Sequence, residues 1–94
     1  MSFPNQTPKL FTKRNIEAIT PGQSGCYGLY RTERWIYIGK GDIRQRLLDH
    51  FNGDNECITS QQPTHWVDVV TPNMDSMEKL LIREYNPVCN KRVG

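Results

Sequence analysis

The chain has 94 residues, 36% of them apolar, and a formal net charge of +2. That is enough for one modest core and leaves no room for a second domain. No apolar run reaches the length of a membrane span or a signal peptide, so a cytoplasmic protein with no membrane partner is expected. The charge is unevenly laid out. Residues 1–46 hold eight Lys or Arg against three acids, residues 47–78 hold six acids and no Lys or Arg, and residues 79–94 hold four Lys or Arg against one acid. A polyanion is drawn to the first stretch and repelled from the second. Cys26, Cys57 and Cys89 are widely spaced, odd in number and without a Cys-x-x-Cys pair. They predict small buried thiols rather than a zinc site or a disulfide framework.

Residues 1–8, polar and with two prolines, read as a flexible arm ahead of a single domain over 9–94. A weak helical pattern runs from Lys9 to Ile19, with Phe11, Ile16 and Ile19 inward and Thr12 as a cap, and Pro21-Gly22 ends it. Lys9, Lys13 and Arg14 read as solvent-facing charge. Two aromatic-rich strands follow, Cys26 to Arg31 and Trp35 to Gly39, joined by Thr32-Glu33-Arg34 as a tight hairpin. Alternation along them puts Tyr27 and Leu29 on one face and Gly28 and Tyr30 on the other. It also sets Tyr37 and Gly39 opposite to Ile36 and Ile38. In correct register Tyr27 and Tyr37 share a face, where their hydroxyls either meet or simply reach water.

After Gly39-Lys40-Gly41 the period becomes helical. Asp42 is the N-cap, Ile43, Leu47, Leu48 and Phe51 form the inner face, and Arg46 and His50 share another face one turn apart. Asn52 to Glu56 is a loop, and Cys57 to Pro63 shows no clear period. His65 to Val70 is a third strand, stopped by Pro72. A second firm helix runs from about Ser76 to Tyr85 on the stripe Met77, Leu80, Leu81 and Tyr85. Glu78 borders that stripe, either as part of a capping box with Asp75-Ser76-Met77 or as a metal ligand.

Gly25-Cys26-Tyr27 followed by Tyr37-Ile38-Gly39 resembles the paired motifs of the GIY-YIG nuclease superfamily. The match continues through Arg46 in the next helix, Glu78 in a later one and Asn90 after it, with His50 at a position where several members carry histidine. The resemblance covers about Gly25 to Asn90. It implies an α/β (α+β) domain with a small three-stranded antiparallel sheet flanked by helices, in the order helix, strand, strand, helix, strand, helix. It further implies a divalent-metal-dependent endonuclease that hydrolyses phosphodiester bonds in DNA. Double-stranded DNA is the favoured substrate, with single strands or RNA as alternatives.

A lone Glu78 can anchor one Mg²⁺, with Mn²⁺ as a substitute, and leave the remaining positions to water and phosphate. Arg46 offers planar donors to phosphate oxygens. By the resemblance Tyr27 is the general base, a role for which its phenol pKa must come down. Tyr37 orients water or phosphate, Lys40 assists either, and His50 binds phosphate or shuttles a proton. Gly39 and Asn90 support the site. Arg31, Arg34, Lys40, Arg44 and Arg46 are the expected nucleic-acid contacts. The link from Gly39 to Arg46 is slightly shorter than the family pattern, and no DNA-recognition domain is attached. The chain therefore reads as a minimal catalytic module that takes its specificity from a homodimer or a protein partner. A catalytically silent nucleic-acid-binding or adaptor module is the alternative from another class.

Overall fold

The computed structural model describes residues 2–90. Its elements are β1 (Lys9–Leu10), α1 (Lys13–Glu17), β2 (Ser24–Arg31), β3 (Arg34–Asp42), α2 (Ile43–Phe51), α3 (Glu56–Gln61), β4 (His65–Val70), α4 (Met74–Tyr85) and a 3-10 turn at Val88–Asn90. The helix starts follow local chemistry. The side chains of Thr12, Asp42 and Asn55 accept hydrogen bonds from the amides of Asn15, Gln45 and Ile58, satisfying donors that a first helical turn leaves open. At α4 the N-cap is Asn73, with no side-chain cap bond. Asp75 to Glu78 lie inside the helix, so the capping box does not form.

The sheet is antiparallel and four-stranded, in the order β1-β4-β2-β3. The three-stranded expectation is corrected by β1, whose Lys9 and Leu10 pair with Trp66 and His65. A two-residue strand has no period to read, and only its long-range partner makes it a strand. The helix α3 is likewise added within the stretch that showed no period.

In the β2–β3 hairpin Tyr27 pairs with Gly39 and Leu29 with Tyr37, which puts both tyrosines on one face. A bulge then breaks the register, and Tyr30 pairs with Trp35. The extra residue, Ile36, turns toward Tyr27 and Leu29 in the cluster with Ile16, Leu47, Ile58 and Trp66. Ile38 instead joins Cys26 and Leu81 on the α4 side. The simple alternation that set Ile36 opposite Tyr37 therefore fails, for the usual reason that a bulge re-aims a side chain. Phe51 and Leu80, expected to face inward, are each 41% exposed. Gly25 is required by packing, since a Cβ there would stand 1.9 Å from the carbonyl oxygen of Val69 in β4.

Amide side chains take the place of a strand on the outer side of β4 beyond its two-residue pairing with β1, and on the outer edge of β3. Gln6 Nε2 donates to the Asp68 carbonyl (2.8 Å) and its Oε1 accepts from the Asp68 amide (3.0 Å). On the opposite edge Asn90 Oδ1 accepts from the Ile38 amide (2.7 Å) and Asn90 Nδ2 donates to the Ile38 carbonyl (2.9 Å). These pairings satisfy backbone groups that a bare edge would leave open. Residues 2–8, read as a flexible arm, cross the sheet. Phe3 stacks on Trp35 and Tyr85, and Ser2 donates to Glu84.

The cysteines correct the reading of three thiols. Cys57 in α3 and Cys89 in the 3-10 turn form a disulfide, with Cα atoms 5.8 Å apart across a sequence separation of 32. Cys26 alone is a buried free thiol, pushed up to about 11 by burial and the nearby Glu78 carboxylate. Odd number and wide spacing did not foretell the pair, because only the fold brings α3 to the chain's last turn.

Candidate active site

Gly39 is the floor of the site. A Cβ there would lie 2.3 Å from the Tyr27 hydroxyl and 2.8 Å from the Tyr37 ring. The glycine of the second motif is thus where the phenol of the first one rests. Tyr27 is wholly buried and Tyr37 partly exposed, their ring centroids 6.4 Å apart. From α2, His50 completes the cluster against both rings, at 5.6 and 5.2 Å.

The histidine is engaged at both nitrogens. His50 Nδ1 lies 2.8 Å from Asp54 Oδ1, and His50 Nε2 lies 2.7 Å from the Tyr27 hydroxyl. A carboxylate only accepts, so Nδ1 carries the hydrogen, and Nε2 accepts the phenol O–H. Burial holds the imidazole below its ordinary pKa, against the pull of Asp54. Burial likewise raises the Tyr27 phenol well above its ordinary value, assisted by Tyr37 and opposed by Arg46. The downward shift expected for a base is therefore absent in the free chain. Instead the single phenol proton is already directed at an acceptor, and every further contact to that oxygen must donate to it.

Arg46, from the turn of α2 before His50, lies beside the same oxygen and is the cation that pulls the phenol pKa back down. Its Nη1 donates to Asp49 Oδ2 at 3.0 Å and stands 3.8 Å from Asp54 Oδ2. Its side chain is 37% exposed, which makes it the solvent-facing member of the group.

Lys40 and Glu78 form a second cluster on the other side of the β3 backbone. Lys40 Nζ donates to Asp75 Oδ1 at 2.6 Å and stands 3.8 Å from Glu78 Oε1. The bond to Asp75 raises the lysine pKa and lowers that of Asp75. Glu78 is 18% exposed and lines a groove between α4 and Lys40. Asn90, by gripping Ile38 on the open edge, fixes the strand that carries Tyr37, Gly39 and Lys40.

The remaining expected contacts lie apart from these clusters. Arg31 and Arg34 sit at the far end of the hairpin, donating to the Gln62 carbonyl and Gln61 Oε1, and Arg44 donates to the Glu17 carbonyl. Three residues of the clusters carry no site signal in the sequence: Asp49, Asp54 and Asp75. Asp54 sits in a Gly/Asn-rich loop that masks its i,i+4 relation to His50. In the sequence Asp75 reads only as part of a cap.

No family model matches the chain, and no curated protein matches it. Solved structures do. The chain is similar to the GIY-YIG N-terminal endonuclease domain of UvrC from Thermotoga maritima bound to magnesium, its catalytic divalent cation. The TM-score is 0.70 and the identity 26%, over 84% of this chain and 96% of that one. A point mutant of the same domain, bound to its catalytic divalent cation, aligns with a TM-score of 0.71 and 25% identity over 85% of this chain and 96% of that one.

Proposed function

From a chain that has the GIY-YIG superfamily fold, we propose a divalent-metal-dependent endonuclease that hydrolyses phosphodiester bonds in DNA. The observation that carries the reading is the chain of bonds Asp54–His50–Tyr27 beneath Arg46. Such a relay has a purpose where a proton must leave a water molecule, and none in a module that only binds.

The residues divide the work as follows. Arg46 directs guanidinium donors at the phosphate oxygens and neutralises charge that grows as the phosphorus accepts a fifth oxygen. Tyr27 is covered in the free chain, so the attacking water reaches its oxygen where the Arg46 guanidinium leaves that oxygen for the phosphate, and donates to it there. As the water oxygen bonds to phosphorus, its proton passes to Tyr27 and the phenol proton passes to His50 Nε2. The resulting imidazolium is held by Asp54. The P–O bond opposite the water breaks, and the leaving alkoxide takes a proton from solvent. A phenol that gives up its own proton as it takes another never needs to exist as free phenolate, which removes the difficulty of its raised pKa. Tyr37, at the open side of the cluster, orients water or phosphate.

Glu78 suits a hard divalent cation. Mg²⁺ takes one or two carboxylates and fills its other positions with water and phosphate oxygens, so a single half-buried Glu opening on a groove matches that habit. A cation held there supplies charge neutralisation to the phosphate and the leaving oxygen. Lys40, drawn off by Asp75, leaves one face of the Glu78 carboxylate free.

The test is supercoiled plasmid with the purified chain, in Mg²⁺ or EDTA, beside Glu78→Ala. Nicking that needs metal and vanishes in the variant is the expected result. Intact plasmid, single strands and RNA under wild-type protein with Mg²⁺ or Mn²⁺ would transfer the chain to the binding-module reading. Cleavage of RNA alone would change the substrate class and keep the mechanism.

A further inference from the structure

We propose that the groove between α4 and the outer edge of β3 carries the DNA strand on one side of the cut, with Lys79 and Arg83 as its phosphate contacts. The inference rests on the nuclease reading above and assigns a path to its substrate. The groove is about 670 Å³ and is lined by Lys40, Glu78, Lys79, Ile82, Arg83 and Asn86. That volume is in the range of ligand clefts. One end is the Lys40–Glu78 cluster, so whatever lies along the groove arrives at the proposed metal ligand.

Helical periodicity builds it. Glu78 and Ile82 are one turn apart and half-buried, forming the floor, while Lys79, Arg83 and Asn86 are exposed and form the wall. The lining holds three cations to one carboxylate, next to a stretch of sequence otherwise dominated by acids. The state of Lys79 and Arg83 separates them from the cations that the sequence marks as nucleic-acid contacts. Arg31, Arg34, Arg44, Arg46 and Lys40 are each already hydrogen-bonded within the protein. Among the described residues neither Lys79 nor Arg83 forms an ion pair or hydrogen bond through its side chain, a state shared by Lys13 and Arg14 on α1, which lie outside the groove. A guanidinium or ammonium without an internal partner exchanges water for a phosphate without breaking a bond inside the protein.

The spacing fits a nucleic-acid strand. Lys79 and Arg83 are about 6 Å apart along the helix axis. A strand of duplex DNA presents a phosphate about every 3.4 Å of axis, so the two cations reach neighbouring or next-neighbouring phosphates. Ile82 between them offers an apolar floor to the sugar. Asn86 closes the far end in a left-handed conformation that ends the helix; its amide N–H is used by the Ile82 carbonyl, while its side chain faces the groove. From Glu78 to Asn86 is about 12 Å of helix, or roughly three phosphates. The footprint on this side of the cut is therefore short and one-sided.

The experiment measures binding of a short DNA duplex by fluorescence anisotropy in EDTA across a series of salt concentrations. It compares wild type with Lys79→Ala/Arg83→Ala. Lys13→Ala/Arg14→Ala, on exposed positions of α1, removes the same charge elsewhere. The groove variant is expected to lower the slope of log affinity against log salt by about two and to weaken binding roughly tenfold, while the α1 variant keeps the wild-type slope. In Mg²⁺ the groove variant raises KM and keeps kcat. Shortening the duplex on one side of the cut reproduces the KM effect in wild type, whereas shortening it on the other side does not. A groove variant with the wild-type slope and KM, or an equal loss in both double variants, overturns the proposal. If wild type cleaves nothing but the slope difference stands, the nuclease reading falls and the groove remains a nucleic-acid site.

Discussion

Asp54 sets the hydrogen on His50, and His50 sets the direction of the Tyr27 proton. Two consequences are measurable at this scale. Asp54 raises the imidazole pKa against the larger effect of burial, so Asp54→Asn moves the acid limb of the kcat profile to lower pH. It also lowers the plateau, because the tautomer is no longer fixed. His50→Ala removes the acceptor of the Tyr27 hydrogen bond, and under the proposed mechanism the expected loss is about 100-fold in kcat at neutral pH. A limb that stays in place in Asp54→Asn would mean that another group titrates there. The second concerns Gly39. A methyl group would meet the Tyr27 hydroxyl and both tyrosine rings at less than 3 Å. Gly39→Ala is therefore expected to cost about 1–3 kcal/mol in denaturant unfolding, and to lose activity by displacing Tyr27 from His50.

At the scale of elements, the last turn of the chain acts on the site through the sheet edge. Asn90 replaces a strand on Ile38, and the neighbouring Cys89 is tied to α3. The disulfide closes a loop with a sequence separation of 32, for which chain entropy gives about 3–4 kcal/mol. Cys57→Ser is expected to lower unfolding free energy by that order in oxidised protein, and reductant should remove the difference between variant and wild type. Identical stabilities in oxidised protein would show that the bridge contributes little. The bulge at Ile36 belongs here too. It lets one strand feed both cores, with Ile36 and Tyr37 toward α2 and Trp35 and Ile38 toward α4.

For the whole molecule, the buried pair Tyr27 and His50 fixes a window of stability. The His50 pKa lies below its unfolded value, so the unfolded chain takes up the proton first as pH falls. Stability declines below the ordinary imidazole range and levels off once the folded chain is also protonated. The Tyr27 pKa lies above its unfolded value, so stability is fully present below the ordinary phenol pKa and declines above it, as the unfolded chain ionises first. Thermal melts from acid to alkaline pH are expected to plateau between these two limits. His50→Gln should flatten the acid side, and an acid side unchanged in that variant would assign the decline to the carboxylates. Among the described residues no helix is long and apolar enough to cross a membrane.

Local chemistry was legible in the sequence. Thr12 and Asp42 act as the caps their positions suggest, and the hairpin strands and the face shared by Arg46 and His50 follow from periods of two and 3.6. Those signals depend on neighbours within one or two turns, and the motif residues inherit their order from them. Only the tertiary structure decided what depends on distant partners. β1 exists because β4 accepts it, and Cys57 finds Cys89 because α3 packs near the chain's end. Asp54 becomes part of a relay because its loop folds back over His50, and Glu78 faces Lys40 rather than its own helix start. A side chain's neighbours along the chain are fixed by covalent geometry. Its neighbours across the fold are set by which apolar faces bury one another, and a single sequence carries no local trace of that choice.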